Sequence, residues 1–334
     1  MASPFTLTRV WRILKDVDLE AVRREAARRV HVLIIGESTA DADELAMRLA
    51  EGQPDPTPWL TAVDAPFAVR APGLTTTAGG RNAVLDGPDI VIAVTRGKDL
   101  TAEMKSARQQ WVAGQACLIT VALDSGERAG KVKTHGGASR VAIDRFDDEG
   151  FRCVVEAMFA VVEPDRRLGL ARQFPVLRPG VFNELIDETA RANAGYSFST
   201  GLAEIIPLLD IPLNIGDMIV LTKNQLMMSY RIALAAGKVG KPRELVGEIV
   251  GVLGGGLIFR QLARQLIGLV PVIGLVPKVA VAYGGTWAIG RAVALWATEG
   301  QKVTADRLKE LSREGLQRGR QIARAMRRQP PPGV

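Results

Sequence analysis

The chain has 334 residues, 47% of them hydrophobic and 24% charged, which is enough for two domains, each with a buried core. Its net charge of +7 suits an acidic partner, either nucleic acid or an anionic membrane surface. Two cysteines, Cys117 and Cys153, and two histidines, His31 and His135, argue against a disulfide framework, a zinc cluster and a multi-histidine metal site; no metal or cofactor is expected.

Residues 1–27 mix acidic and basic side chains without an uninterrupted apolar stretch, so export is not expected. Val10, Ile13, Leu14, Val17 and Val22 recur at helical spacing and predict an amphipathic lead-in helix docked on the domain that follows. Residues 28–168 read as that domain. The apolar run from His31 to Gly36 is a buried strand, followed by a turn and a helix over Asp41–Ala50. Further strands are expected at Pro66–Arg70, Asp89–Thr95, Ala116–Leu123 and Arg140–Ile143, with helices at Leu100–Gly114 and Glu149–Val162. Strands rich in Val and Ile alternating with helices predict an α/β fold, a mostly parallel doubly wound sheet covered on both faces.

The order of these segments resembles the Ras-like domain of bacterial GTPases, in layout more than in motif letters. With Gly36 at the first glycine of a P-loop, the expected Gly-Lys-Ser/Thr falls on Asp41, Ala42 and Asp43. Two carboxylates then stand where a lysine cation and a magnesium-binding hydroxyl are needed, and phosphate is repelled. Val69-Arg70-Ala71-Pro72-Gly73 resembles the Asp-Thr-Pro-Gly of switch II with Arg70 in the aspartate position, ahead of Gly73. Val121-Ala122-Leu123-Asp124 stands where GTPases carry Asn-Lys-x-Asp, and only Asp124 survives. The resemblance therefore implies a GTPase-like domain without conventional hydrolysis. The residues alone read more plainly: Asp41, Asp43 and Glu44 as helix-start acids, Arg70 as a solvated strand-end charge, Asp124 as a turn cap.

After Pro164 and a polar connection the composition shifts to long apolar, glycine-rich segments, and residues 176–300 read as an all-α domain. Helices are expected near Val181–Ala194, Ser199–Leu209, Asn214–Ala236, Arg243–Leu269, Val272–Trp296 and Val303–Arg328. Pro242 and Pro271 fit helix starts, and Gly237 and Gly300 fit helix ends. Asp217, Asn224 and Arg231 recur every seven residues with Gln225 beside them, forming a polar seam between helices, a contact for the partner domain, or a solvated face. Charges and prolines interrupt each apolar run, which favours a peripheral bundle over an integral hairpin. Ile211-Pro212, Asp217, Gln225, Arg231-Ile232-Ala233, Pro271-Val272-Ile273-Gly274 and Thr286-Trp287 resemble the YcjF-type helical domain that accompanies bacterial GTPases. That resemblance implies association with the inner membrane and supplies no activity.

Residues 301–328 form a basic amphipathic helix whose Arg318, Arg320, Arg324, Arg327 and Arg328 suit anionic lipid; residues 329–334 are a disordered tail. The expected function is a non-catalytic pseudo-GTPase scaffold or regulator, cytoplasmic and peripheral at the inner membrane, with a protein partner or a second copy of the chain. The alternatives are an unconventional GTP-binding protein and a soluble nucleic-acid-binding protein.

Overall fold

The run Val32-Leu-Ile-Ile-Gly36 is apolar on both of its faces, a pattern tolerated only by a strand covered on both sides. In the computed structural model it is the second strand of a six-stranded sheet, and all five residues are buried. The structure describes residues 10–52, 60–64, 74–76, 82–84, 88–111, 116–126, 128–203, 213–252, 275–300 and 303–328. The chain divides into two units, Arg24–Val181 and Met1–Arg23 with Phe182–Val334.

The first unit is mixed α/β. Its order is α1 (Leu19–Ala27, shared with the second unit), β1 (Val32–Gly36), α2 (Thr39–Ala50), β2 (Leu60–Asp64), β3 (Leu74–Thr76), β4 (Asn82–Val84), β5 (Ile90–Arg96), α3 (Ala102–Trp111), β6 (Cys117–Leu123), β7 (Lys133–His135), β8 (Ala138–Ile143), α4 (Asp148–Phe159) and α5 (Pro164–Gln173). The sheet runs β2-β1-β5-β6-β8-β7; β2, β1, β5, β6 and β8 are parallel to their neighbours, and β7 closes one edge antiparallel to β8. Val32, Ile34, Ile90, Ile92 and Val121 meet α2 and α4 through Leu45, Leu49, Val154 and Met158. On the opposite face Leu33, Ile35, Val91 and Ala93 meet Met104 of α3. Helices thus cover both faces, as the alternating elements predict. At one strand start Gln173 takes the role of a neighbouring backbone: its side chain accepts from the Val30 N–H at 3.1 Å and donates to the Val30 carbonyl at 2.8 Å.

Among the described residues four strands fall outside the expected set: β2, the antiparallel pair β3 and β4, and β7. The strand that pairs with β1 is Leu60–Asp64, in the register Val32↔Leu60 to Gly36↔Asp64; Pro66–Arg70 lies outside the described residues. The hairpin strand β7 is wholly exposed. Its turn is Gly136-Gly137 with φ of 54° and 78°, the left-handed pair that a two-residue hairpin requires.

The second unit holds α6 (Arg178–Ala203, which begins in the first unit), α7 (Leu213–Ala235), α8 (Pro242–Val252), α9 (Leu275–Glu299) and α10 (Ala305–Arg328). Helix α6 runs unbroken where two separate helices are expected, to Ala194 and from Ser199. Residues of the N-terminal segment group with these helices rather than with the α/β domain that follows them in sequence. Val10, Leu14 and Leu19 are buried, the Arg243 guanidinium lies 5.9 Å from the Trp11 ring centroid, and the Tyr230 hydroxyl reaches the Leu19 carbonyl at 3.4 Å.

Helices α9 and α10 approach each other at backbone distance. A Cβ placed on Gly319 would come within 2.2 Å of the Ala280 carbonyl oxygen, and one on Gly315 within 2.4 Å of that of Gly284. Ala280-x-x-x-Gly284 and Gly315-x-x-x-Gly319 therefore bring two backbones together where no side chain fits. Leu308, Leu311 and Ala323 complete the buried face of α10, so the apolar side of the basic helix is taken up by α9. Among the described residues no helix is long and apolar enough to cross a membrane.

Two glycine substitutions separate packing from helix propensity. Gly319→Ala is expected to destabilise by about 2 kcal/mol or more through overpacking. Gly195→Ala, in α6 with open space at its Cβ, is expected to stabilise by about 0.5–1 kcal/mol. Urea unfolding of both variants reads the two signs.

Candidate functional site

The parallel order β2-β1-β5-β6 reverses direction at β1: from β1 the chain moves outward to β2 and then returns to β5 on the other side. In open α/β sheets the crevice at such a point, beyond the carboxyl ends of the strands, is where ligands bind. Here it lies at the ends of β1 and β5, beside the start of α2.

The turn out of β1 is tight. A Cβ on Gly36 would lie 2.2 Å from the Ser38 carbonyl oxygen and 2.8 Å from the Ala42 nitrogen, so only glycine fits. Ser38 caps α2, its hydroxyl oxygen accepting from the Asp41 N–H at 3.3 Å. The same hydroxyl donates to Asp41 Oδ2 at 2.8 Å. Asp41 is only 2% exposed. Its carboxylate takes two further hydrogen bonds from Arg96, Nη2 to Oδ1 at 2.6 Å and Nε to Oδ2 at 3.2 Å. This is a fork-to-fork pair between the first turn of α2 and the last residue of β5. Burial pushes the Asp41 carboxyl up, but the hydrogen bonds from Arg96 and Ser38 and the guanidinium charge outweigh it and hold the group below its ordinary value.

Glu37 completes the cluster. Its backbone N–H continues the ladder to the Val94 carbonyl at 2.9 Å, and its carboxylate accepts from the Thr95 hydroxyl at 3.2 Å and from the Arg96 N–H. Asp124 follows β6 with φ of 48° and stands 3.5 Å from Arg96 Nη1. One arginine is thereby ringed by the carboxylates of Glu37, Asp41 and Asp124.

Of the residues singled out from sequence, Gly36, Asp41 and Asp124 meet around this crevice. Ala42 is fully buried in the core and Asp43 is exposed. Arg70 and Gly73 lie outside the described residues. The strand end opposite Gly36 is occupied by Asp64. Arg96, the residue that organises the cluster, is not identified from sequence: it sits 55 positions from Asp41, and an arginine at a strand end carries no local signal of its partner. Among the described residues there is no group of His, Cys, Asp and Glu able to hold a metal.

In the helical unit Asn224 and Gln225 join a polar network between three helices. Asn224 Nδ2 donates to Asn193 Oδ1 at 2.8 Å, Asn193 Nδ2 to Thr286 Oγ1 at 2.9 Å, and Gln225 Nε2 to the same oxygen at 3.0 Å. The Thr286 hydroxyl donates in turn to the Ala282 carbonyl at 2.8 Å, so it is satisfied in both senses. Arg231 stands apart from this network, with a buried Nε that has no partner among the described residues. Asp217 falls in α7, but its side chain lies outside the described residues. On α10, Arg318, Arg320, Arg324, Arg327 and Arg328 are all exposed, and Arg318 lies over the Trp287 ring at 4.8 Å.

No family model matches the chain, and no curated protein or solved structure matches it.

The two partners of the Asp41–Arg96 pair differ in burial, and their loss should differ accordingly. Arg96, with its side chain 59% exposed, returns to water when Asp41 is removed, whereas removing Arg96 strands a buried carboxylate. Arg96→Met is therefore expected to cost about 2–3 kcal/mol, and adding Asp41→Leu to it should restore most of that loss. Because the folded Asp41 value is depressed, its contribution is fully present above the unfolded value of 3.8 and is lost as pH falls through the folded one. Acid unfolding followed by circular dichroism should be less steep in Arg96→Met than in the parent.

Proposed function

We propose that the chain is a non-catalytic scaffold: a GTPase-like α/β unit that makes protein contacts, joined to a helical unit that associates with partner proteins at the cytoplasmic face of a membrane. The observation that carries this reading is the bidentate Asp41–Arg96 pair at the β1–α2 turn. A phosphate-binding loop presents free backbone N–H groups, a cation and a hydroxyl to the ligand. Here the helix start already faces a buried carboxylate, and the nearby guanidinium is spent on it. A nucleotide entering this crevice has to break the pair and meet the charges of Glu37 and Asp41. Hydrolysis also lacks the lysine and hydroxyl that Asp41, Ala42 and Asp43 replace.

Membrane association is supported by the exposed arginines Arg320, Arg324, Arg327 and Arg328, on a helix whose apolar face is already packed against α9. The contact is therefore electrostatic, drawn by anionic headgroups and weakened by salt.

Calorimetric titration with GTP, GDP and ATP in the presence of magnesium should give no saturable heat; micromolar binding of any of them contradicts the scaffold reading. The full chain should float with vesicles containing anionic lipid and be released by high salt. Replacing Arg320, Arg324, Arg327 and Arg328 together by Gln should weaken partitioning roughly 100-fold or more, at about 1 kcal/mol for each charge. Salt-sensitive RNA binding without flotation supports the nucleic-acid reading instead.

A further inference from the structure

A second polar depression lies in the helical unit, between the residues of α6, α9 and α10, with a volume of about 370 Å³, within the size range of small-ligand sites. Its lining includes three guanidinium groups, Arg291, Arg307 and Arg318, and two carboxylates, Asp187 and Glu314, so its own charge is a single net positive. The three arginines are not equivalent. Glu310 engages Arg307, and Glu314 engages Arg318 at 3.1 Å. No carboxylate pairs with Arg291 among the described residues; its Nη1 donates to the neutral Asn183 Oδ1 at 3.2 Å.

Trp287 lines the same space. Arg318 lies 4.8 Å and Arg291 5.9 Å from its ring centroid, so the ring attracts both cations through its quadrupole. Asp187 is held in place by the Tyr283 hydroxyl, which donates to its Oδ1 at 2.8 Å. Burial, then this hydrogen bond, pushes the Tyr283 value up to about 12, so it remains a donor across the ordinary pH range.

We propose that this cleft binds a hydroxylated phosphate ester, either as a soluble compound or as the headgroup of an anionic lipid. The phosphate is matched by the uncompensated guanidinium of Arg291, with Arg318 next to it on the shared ring. Carboxylates exclude a bare polyanion but accept hydrogen bonds from hydroxyl groups, which is the role the lining gives to Asp187 and Glu314. The inference rests on the helical unit alone, so GTP binding that defeats the scaffold reading leaves it standing.

The test uses the full chain and two probes. Glycerol 3-phosphate is titrated while heat and tryptophan emission are followed, and flotation is measured on phosphatidylcholine vesicles with and without phosphatidylglycerol. Saturable binding of glycerol 3-phosphate that Arg291→Gln weakens at least tenfold, and that Arg152→Gln on the exposed face of α4 leaves unchanged, supports the site and assigns a soluble ligand. Binding confined to phosphatidylglycerol vesicles and weakened equally by Arg291→Gln assigns a lipid headgroup. If Arg291→Gln loses its helical circular dichroism, Arg318→Gln is read in its place. Failure of both probes to bind, or binding that the folded variant retains in full, overturns the proposal.

Discussion

The Asp41–Arg96 pair ties the three elements on which the α/β unit turns. Arg96 ends β5, Asp41 opens α2, and between them the Gly36 turn leaves β1 with no room for a side chain. The carboxylate can be buried because Ser38 and Arg96 together supply three hydrogen bonds to it. A buried charge that is fully bonded fixes geometry strongly, since any movement of one partner exposes the other to an unpaired state. The crevice that open α/β sheets use for ligands is thereby occupied from within by the protein's own charges.

The helical unit solves a different problem. Its helices are apolar over much of their surface, and apolar contact alone does not choose one arrangement. Two features supply the choice. Gly284, Gly315, Gly319 and Ala280 let α9 and α10 approach at one register only. The network of Asn193, Asn224, Gln225 and Thr286 sets α6 and α7 against α9, because a shift would leave the buried Asn193 and the half-buried Asn224 and Gln225 without partners. Packing of α10 on α9 leaves outward a face of arginines with little apolar area, so any surface it meets is recognised by charge.

Much of the α/β layout is legible in the residues. The runs ending at Gly36, Arg96 and Leu123 are apolar on both faces and can only be covered strands. Helix ends were equally readable where backbone chemistry dictates them: Pro242 begins α8, while Gly237 and Gly300 follow α7 and α9 with φ of 90° and 71°. Leu60–Asp64 escaped because five residues of mixed polarity after a proline-rich stretch give no period to count. The exposed strand β7 had no hydrophobic signal, and its marker was the Gly136-Gly137 dipeptide. At the candidate site Asp41 was visible as an acidic helix start, but Arg96 was not visible as its partner. The same holds for Asn193 and Thr286, 93 positions apart in sequence and without a local signal of each other until the fold brings them within 2.9 Å.

The central claim is that the buried Asp41 carboxylate is engaged by Arg96 and held below its ordinary value, the pair on which the proposed scaffold reading rests. The most direct measurement is an NMR titration of the carboxyl carbon of Asp41 in labelled protein, alone and with saturating GTP and magnesium. The account predicts a titration midpoint below the ordinary aspartate value of 3.8, unchanged by nucleotide. A midpoint at or above that value, or one displaced by GTP, contradicts it.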